Sequence, residues 1–383
     1  MVLRHANWNY PTAIRFGAGR IAELGDACRT LDMERPLLVT DPALARMPMV
    51  EKAAAVAGAG LFCDIHANPV GADIEAGLAA FYDGRHDGIV AFGGGSAIDV
   101  GKVIAFMSAQ RRPLWDFEDK EDWWSRADIP AIAPIVAVPT TAGTGSEVGR
   151  AGVILDEDAG VKKIIFHPKM LPAIVILDPE LTVGLPPNVT AATGMDALSH
   201  CLEAYCAPGF HPMADGIAAE GTRLIRTWLP RAFERGDDIE ARGHMLVAAA
   251  MGATAFQKGL GGMHALSHPI GALRGTHHGL TNAVLMPYVM RFNRAAIEDR
   301  LARLAGYIGL PDASFDGFVE WIVDLRRRLA IPHSLAEIGV GEGDIERIAV
   351  MAEADPSAGG NPLPFDRAAA RRVLDAAMAG ELA

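Results

Sequence analysis

Residues 88–96 read Gly88-Ile89-Val90-Ala91-Phe92-Gly93-Gly94-Gly95-Ser96, and a helical pattern resumes at Ala97-Ile98-Asp99-Val100-Gly101-Lys102. An apolar run is stopped by three glycines, and a helix starts at once. This order presents unpaired backbone N–H groups to an anion, because glycine allows close approach and a helix N-terminus carries partial positive charge. Gly94, Gly95 and Ser96 are therefore candidate phosphate contacts, with Ser96 as N-cap and Asp99 as a first-turn acid. The common fingerprints do not match. Gly-x-Gly-x-x-Gly needs glycine where Ile98 stands, and a Walker A loop needs Ser or Thr where Val103 follows Lys102. For this loop alone, a tight turn without a ligand is the plainer alternative.

Similar apolar runs occupy 36–40, 61–65, 133–138 and 173–177, with helical patterns at 19–31, 73–82 and 97–108. Strands that are continuously apolar and separated by helices predict a parallel sheet covered on both faces. A second polar loop, Pro139-Thr140-Thr141-Ala142-Gly143-Thr144-Gly145-Ser146-Glu147, follows the fourth run. Ligands of open α/β sheets bind at the carboxyl ends of strands, which makes Thr140, Thr141 and Thr144 further candidates. Asp41 ends the first of these runs, where an acid takes the ribose hydroxyls of NAD or simply caps a turn. After Gly184-Leu185-Pro186-Pro187 the texture changes to Ala-, Leu-, Met- and Arg-rich helical spacing with no strand pattern. We therefore expect an α/β dinucleotide-binding domain over 1–185 and an all-helical, metal-binding domain over 186–383.

Composition narrows the function classes. The chain has 383 residues, half of them apolar and 21% charged, which excludes disorder. Four cysteines without Cys-x-x-Cys spacing exclude a disulfide scaffold and fit a reduced, cytoplasmic protein. A net charge of −12 with no basic run disfavours nucleic acid. The N-terminus, Met1 to His5, lacks a signal-peptide pattern, and the apolar stretches at 129–138 and 245–256 are too short to span a bilayer.

Seven of the 12 histidines lie between His200 and His278. Asp196-Ala197-Leu198-Ser199-His200 sets a carboxylate and an imidazole on one helical face. His264-Ala265-Leu266-Ser267-His268 repeats the spacing with two imidazoles, and His277-His278-Gly279 follows. Their neighbours Met195, Leu198, Met263, Leu266 and Ile270 are apolar, and polar groups on buried faces need partners. One Asp with two or three His suits a divalent first-row metal such as Zn²⁺ or Fe²⁺. Ala265 excludes the zincin pattern His-Glu-x-x-His. The histidines outside these groupings, His5 among them, stand alone and read as ordinary.

With these motifs in this order, the chain resembles the iron-containing (group III) alcohol dehydrogenases, whose architecture is dehydroquinate-synthase-like. The resemblance runs from Phe16-Gly17-Ala18-Gly19, through the two loops and the histidine segments, to Gly360-Asn361-Pro362. It implies an α/β N-terminal domain with a Rossmann-like parallel sheet, an all-α C-terminal domain, and a metal and nicotinamide in the cleft between them. The family's metal ligands map onto Asp196, His200, His264 and His278. His268 matches a catalytic histidine near the nicotinamide, and we read it as a proton relay. The family's NAD contacts map onto Asp41, Asn68, Gly95, Ser96, Thr140, Thr141, Lys162 and Leu181. An acid at Asp41 favours NAD, since it repels the 2′-phosphate of NADP.

The implied activity is hydride transfer between an alcohol and NAD⁺, with Fe²⁺ or Zn²⁺ and an alcohol or aldehyde substrate, in a homo-oligomer of two or more copies. Many relatives carry aromatics where this chain has Ala151 and Leu273-Arg274, which points away from a simple ethanol-like substrate. Arg274 and Arg150 are positions able to hold a carboxylate, sulfonate or phosphonate. The rival is a lyase of the dehydroquinate-synthase type, which shares NAD and a metal but returns NAD unchanged. Leu266, Ile270 and Leu273 are too apolar for its polyanionic substrate. A nucleotide sensor has no need of an Asp/His₃ set, and a metal hydrolase has no need of two nucleotide-type loops.

Overall fold

The computed structural model describes residues 6–8 and 12–382, so His5 lies outside the described residues. The chain divides into two compact units, residues 1–141 with 145–184, and residues 142–144 with 185–383.

The first unit runs β1 (Ala6–Trp8), β2 (Ala13–Phe16), α1 (Leu24–Thr30), β3 (Pro36–Val39), α2 (Pro48–Ala57), β4 (Gly60–Phe62) and α3 (Gly71–Asp83). It continues with β5 (Gly88–Gly93), α4 (Gly95–Met107), β6 (Ile135–Pro139), β7 (Ala151–Asp156), β8 (Val161–Phe166) and β9 (Ile174–Leu177). Seven strands form one sheet in the order β1-β2-β9-β6-β5-β3-β4, parallel except for β1 against β2. The expected parallel α/β unit is present.

Its central strands β3, β5, β6 and β9 are buried along their whole length, so neither face alternates in polarity. Leu38, Val90, Phe92, Val136, Val138 and Ile176 join Leu24, Cys28, Val50 and Ala53 of α1 and α2 in one apolar core. Helix α4 is buried from Ala97 to Met107, and its Gly101 lies where a Cβ would come within 2.8 Å of the Ala91 Cβ. That close approach seats α4 directly on β5.

The sequence reading left β1, β2 and the antiparallel pair β7–β8 unassigned. In β7 burial alternates residue by residue, which is the mark of a half-buried strand, and the turn at 157–160 ends in Gly160 with φ +64°. In sequence β7 is a continuous apolar run without polar alternation, and β8 carries the charged Lys162-Lys163.

The second unit runs α5 (Pro187–Cys206), α6 (Pro212–Glu234), α7 (Ile239–Ala255), α8 (Gly262–Arg274), α9 (His278–Tyr307), α10 (Phe315–Arg328), α11 (Ile345–Glu353) and α12 (Arg367–Ala379). It contains no strand among the described residues. Pro187 opens α5, where its missing N–H costs nothing. Helix α5 is the hub, packed by α6, α7 and α9. Glycines permit the contact: a Cβ on Gly279 would collide with the Ala192 carbonyl, and one on Gly252 would sit 3.1 Å from the His200 Cβ. Among the described residues, no helix is long and apolar enough to cross a membrane.

Candidate active site

In the α/β unit, register places the predicted loops side by side. Phe92 pairs with Val138 and Gly93 with Pro139, while Val39 pairs with Ala91. Asp41, Gly94–Ser96 and Thr140–Thr141 therefore follow three adjacent strands at one carboxyl edge. The chain leaves β3 toward β4 on one side and returns as β5 on the other, so this is the switch point of the sheet.

Gly93 takes φ +142°, and Gly94 precedes α4 at its N-cap position with no side-chain cap, beside Thr141. Ser96 does not cap the helix. Its hydroxyl donates to the Ala67 carbonyl at 2.8 Å, next to Asn68, whose Oδ1 accepts from Lys162 Nζ at 3.0 Å. Ser96, Asn68 and Lys162 are thus gathered from three elements, and burial holds the Lys162 ammonium below its ordinary pKa. The free N–H groups of α4 and the space that glycine leaves beside Thr141 fit a pyrophosphate.

Other predicted residues are committed elsewhere. Asp41 Oδ1 caps the next turn, accepting from Ala43 and Leu44 N–H at 2.9 Å each. Leu181 packs in the apolar core. Asp99 is buried: Oδ2 accepts from Val153 N–H at 3.0 Å, and Oδ1 accepts from the Ser146 hydroxyl and pairs with Lys102 at 3.1 Å. It stitches α4 to β7. Thr140 continues the ladder by donating its N–H to Gly93 O at 2.9 Å, while Thr144 belongs with the helical unit.

In the helical unit, α5 carries Asp196 and His200 on one face, α8 carries His264 and His268, and α9 begins at His278. One ligand atom from each of Asp196, His200 and His264 lies within 4.8 Å of the others, and all three residues are buried. His278 Nε2 stands 3.6 Å from Asp196 Oδ1, its side chain 31% exposed. His264 stacks on His200 at 4.9 Å between ring centres and meets His278 at 5.2 Å. His268 stacks on His278 at 5.5 Å.

The electrostatics follow from burial and crowding. Burial alone would raise the Asp196 pKa, but His200, His278, His264 and an Asn282 amide hydrogen bond outweigh it and hold the carboxyl at about 2. Burial pushes His200 down to about 4 despite the nearby carboxylates of Asp196 and Glu203. Both groups are therefore in their lone-pair-bearing forms at neutral pH. For His264, burial acts to lower the pKa, and the Glu203 carboxylate beside it outweighs that and leaves it raised.

The donor set asks for a cation. Asn282 Nδ2 donates to Asp196 Oδ1 at 2.9 Å and also faces His278 Nε2 at 3.2 Å and His264 Nε2 at 3.3 Å. One amide nitrogen thus faces three polar atoms with only two hydrogens to offer. One carboxylate and three imidazoles fit a borderline divalent metal.

A model of the family described as iron-containing alcohol dehydrogenase matches residues 11–179, and one for the family's C-terminal region matches 190–378. The chain belongs to the iron-containing alcohol dehydrogenase family. It is accordingly an oxidoreductase acting on alcohols, with NAD and a divalent metal as cofactors. The 4-hydroxybutyrate dehydrogenase of Cupriavidus necator is 40% identical over 96% of this chain and 99% of that protein. A 1,3-propanediol oxidoreductase structure superposes with TM-score 0.91 at 33% identity, covering 99% of this chain and all of the other. Sulfoacetaldehyde reductase from Bifidobacterium kashiwanohense, solved with NAD⁺, superposes with TM-score 0.88 at 28% identity over the full length of both chains.

Three contacts around this alcohol dehydrogenase site escaped the sequence reading. Glu203 Oε2 lies 2.6 Å from His264 Nδ1, Asp355 Oδ2 lies 2.8 Å from His268 Nδ1, and Asn282 bonds Asp196. Glu203 extends the Asp196/His200 stripe by another turn, and Asn282 is four residues past His278, so both sat at readable helical spacings. Asp355 is 87 residues from His268 and had no such signal. Of the two arginines singled out, Arg274 is tied to Asp344 through Nε at 2.6 Å, and Arg150 stacks 5.6 Å over Phe166.

Proposed function

We propose that this iron-containing alcohol dehydrogenase interconverts a short ω-hydroxy acid and its aldehyde, using NAD. Asp196, His200, His264 and His278 hold the metal, and His268 moves the proton. The observation that carries this reading is the buried convergence of Asp196, His200 and His264 within 4.8 Å. Bound there, a divalent metal supplies a Lewis acid that acidifies an alcohol, and NAD supplies the hydride acceptor.

The chain's own residues do the rest. Burial of the three ligands excludes water and strengthens their hold on charge. Asp355 accepts from His268 Nδ1, which leaves His268 Nε2 with the lone pair that receives the hydroxyl proton. His268 is 18% exposed and passes that proton outward. In the α/β unit, Gly94, Gly95, Ser96, Thr140 and Thr141 cradle the phosphates, Asn68 and Lys162 add polar contacts, and Asp41 takes the ribose. Asp99 and Leu181 back the loops from within the fold, through the α4–β7 link and the apolar core, rather than as nucleotide contacts.

The anionic substrate class rests on the names of two relatives, a 4-hydroxybutyrate dehydrogenase and a sulfoacetaldehyde reductase. We place the protein in the cytoplasm as a homo-oligomer, a reading supported by its four free cysteines as regards compartment. The purified full chain, supplied with Fe²⁺ or Zn²⁺ and NAD⁺, is tested by NADH absorbance on 4-hydroxybutyrate and 1,3-propanediol. We expect kcat/KM to favour the hydroxy acid by about tenfold, the worth of one hydrogen bond to a charged group. Preference for the neutral diol overturns the anionic assignment, and turnover that survives His264→Ala without metal overturns the ligand assignment.

A further inference from the structure

Helix α8, which carries His264 and His268, begins at Gly261-Gly262 with no residue able to cap it from its own side chain. The first N–H groups of a helix have no intrahelical partner and must find one when buried. Here the partners come from far away in the chain. Gly262 N–H donates to Asn361 Oδ1 at 3.1 Å, and Met263 N–H donates to Glu203 Oε1 at 2.7 Å. The other oxygen of the same carboxylate, Oε2, stands 2.6 Å from His264 Nδ1. The His264 and Glu203 side chains are only 2% and 5% exposed.

Glu203 thus grips α8 twice, once by the backbone at Met263 and once by the ring at the next residue. The ring contact has a chemical consequence. An ionised carboxylate only accepts, so His264 Nδ1 must carry the hydrogen and Nε2 the lone pair. Nε2 is the nitrogen on the Asp196 side, since the Asn282 amide that bonds Asp196 Oδ1 lies 3.3 Å from it. Glu203 also sits on α5, one turn beyond His200 and two beyond Asp196. The spacing i, i+4, i+7 puts all three on one stripe. A single helix therefore supplies two donor atoms and the group that aims a third.

We propose that Glu203 is a positioning residue for the metal, setting the tautomer and orientation of His264 from α5. The proposal rests on the reading of Asp196, His200 and His264 as metal ligands. A carboxylate behind a ligating imidazole fixes its tautomer and raises its basicity. The negative charge is also well placed at the N-terminus of α8. A purely architectural link between α5 and α8 would need only two acceptors, whereas the tautomer of His264 needs a group that cannot donate.

Glu203→Gln separates these. The amide keeps the size of Glu203 and one acceptor, but its NH₂ then faces either Met263 N–H or His264 Nδ1. Glu203→Asp keeps the charge on a shorter stem. Full-length wild type, E203Q and E203D are stripped with chelator and titrated with Co²⁺ against a competing chelator, following the Co²⁺ visible absorption and the far-ultraviolet circular dichroism. We expect E203Q to bind Co²⁺ about 10–100-fold more weakly than wild type with unchanged helix content, and E203D to fall between them. Equal Co²⁺ affinity in all three proteins overturns the role of Glu203. So does a loss of affinity in both variants that merely tracks a loss of helix. Failure of wild type to bind Co²⁺ overturns the metal reading itself, and the positioning role with it.

Discussion

At Asp41 two tasks meet on one carboxylate. Oδ1 is engaged by the Ala43 and Leu44 N–H groups, so the side chain caps the turn after β3 whatever else it does. Its position beside the switch point of the sheet suits ribose recognition and repels a 2′-phosphate. Asp41→Gly is therefore expected to raise the NADP/NAD ratio of kcat/KM by about tenfold or more, while loss of the cap to glycine costs only about a few tenths of a kcal/mol of stability. Steady-state kinetics with both cofactors checks the first, and an unchanged ratio would confine Asp41 to capping. The metal-centre side chains show what a local pattern reveals and what it hides. Asp196/His200 and His264/His268 were legible because four-residue spacing is a property of one helix. Asp355 was not, because it meets His268 across 87 positions, and the spacing of Glu203 did not show that it reaches Met263 60 positions away.

Among elements, the short turn Ser146–Val148 after the threonine-rich loop is unusual in its charge. Glu147 within it is 2% exposed, and its Oε1 has no partner. Burial pushes its carboxyl from 4.5 up to about 7, with Lys102 only partly opposing. The direction of the effect on stability is fixed by linkage. Between pH 4.5 and 7 the unfolded chain has released this proton and the folded chain has not, so stability falls as pH rises through that window and stays lower above it. The full loss is of order 3 kcal/mol for a shift of this size. Glu147→Gln removes the titration. Melting curves should show the variant gaining on wild type from pH 4.5 to 7 and holding a constant lead above, and parallel curves would mean that Glu147 titrates normally. Helix α4, by contrast, was readable in nearly its full extent, because its apolar run and glycine start are local. The β7–β8 pair is not legible because β7 is a continuous apolar run whose half-burial only the fold decides, and β8 carries two lysines.

For the whole molecule, the proposed metal ligands would come from α5, α8 and α9, with Asp196, His200 and His264 already gathered within 4.8 Å. A cation bound there holds three helices that the chain joins only through intervening segments. Anything that binds the folded form alone stabilises it by mass action, about 2.7 kcal/mol at a hundredfold excess over Kd. Removing metal by chelation is expected to lower the melting temperature of the helical unit, and restoring Fe²⁺ or Zn²⁺ should recover it, as scanning calorimetry would show. A melting curve indifferent to chelator would count against a metal held by these helices. From the sequence alone came the order of an α/β sheet and then helices, the two loops at strand ends, and the Asp/His spacings. These depend on periodicity and on backbone chemistry within a few residues. The tertiary structure alone decided that Asp99 and Leu181 serve packing, that Arg274 is paired with Asp344, and that Glu203, Asn282 and Asp355 surround the histidines. Those outcomes turn on how separate elements pack against one another. Such contacts join residues far apart in the chain, so even where a spacing such as that of Glu203 or Asn282 is helical, the partner it meets is not written in it.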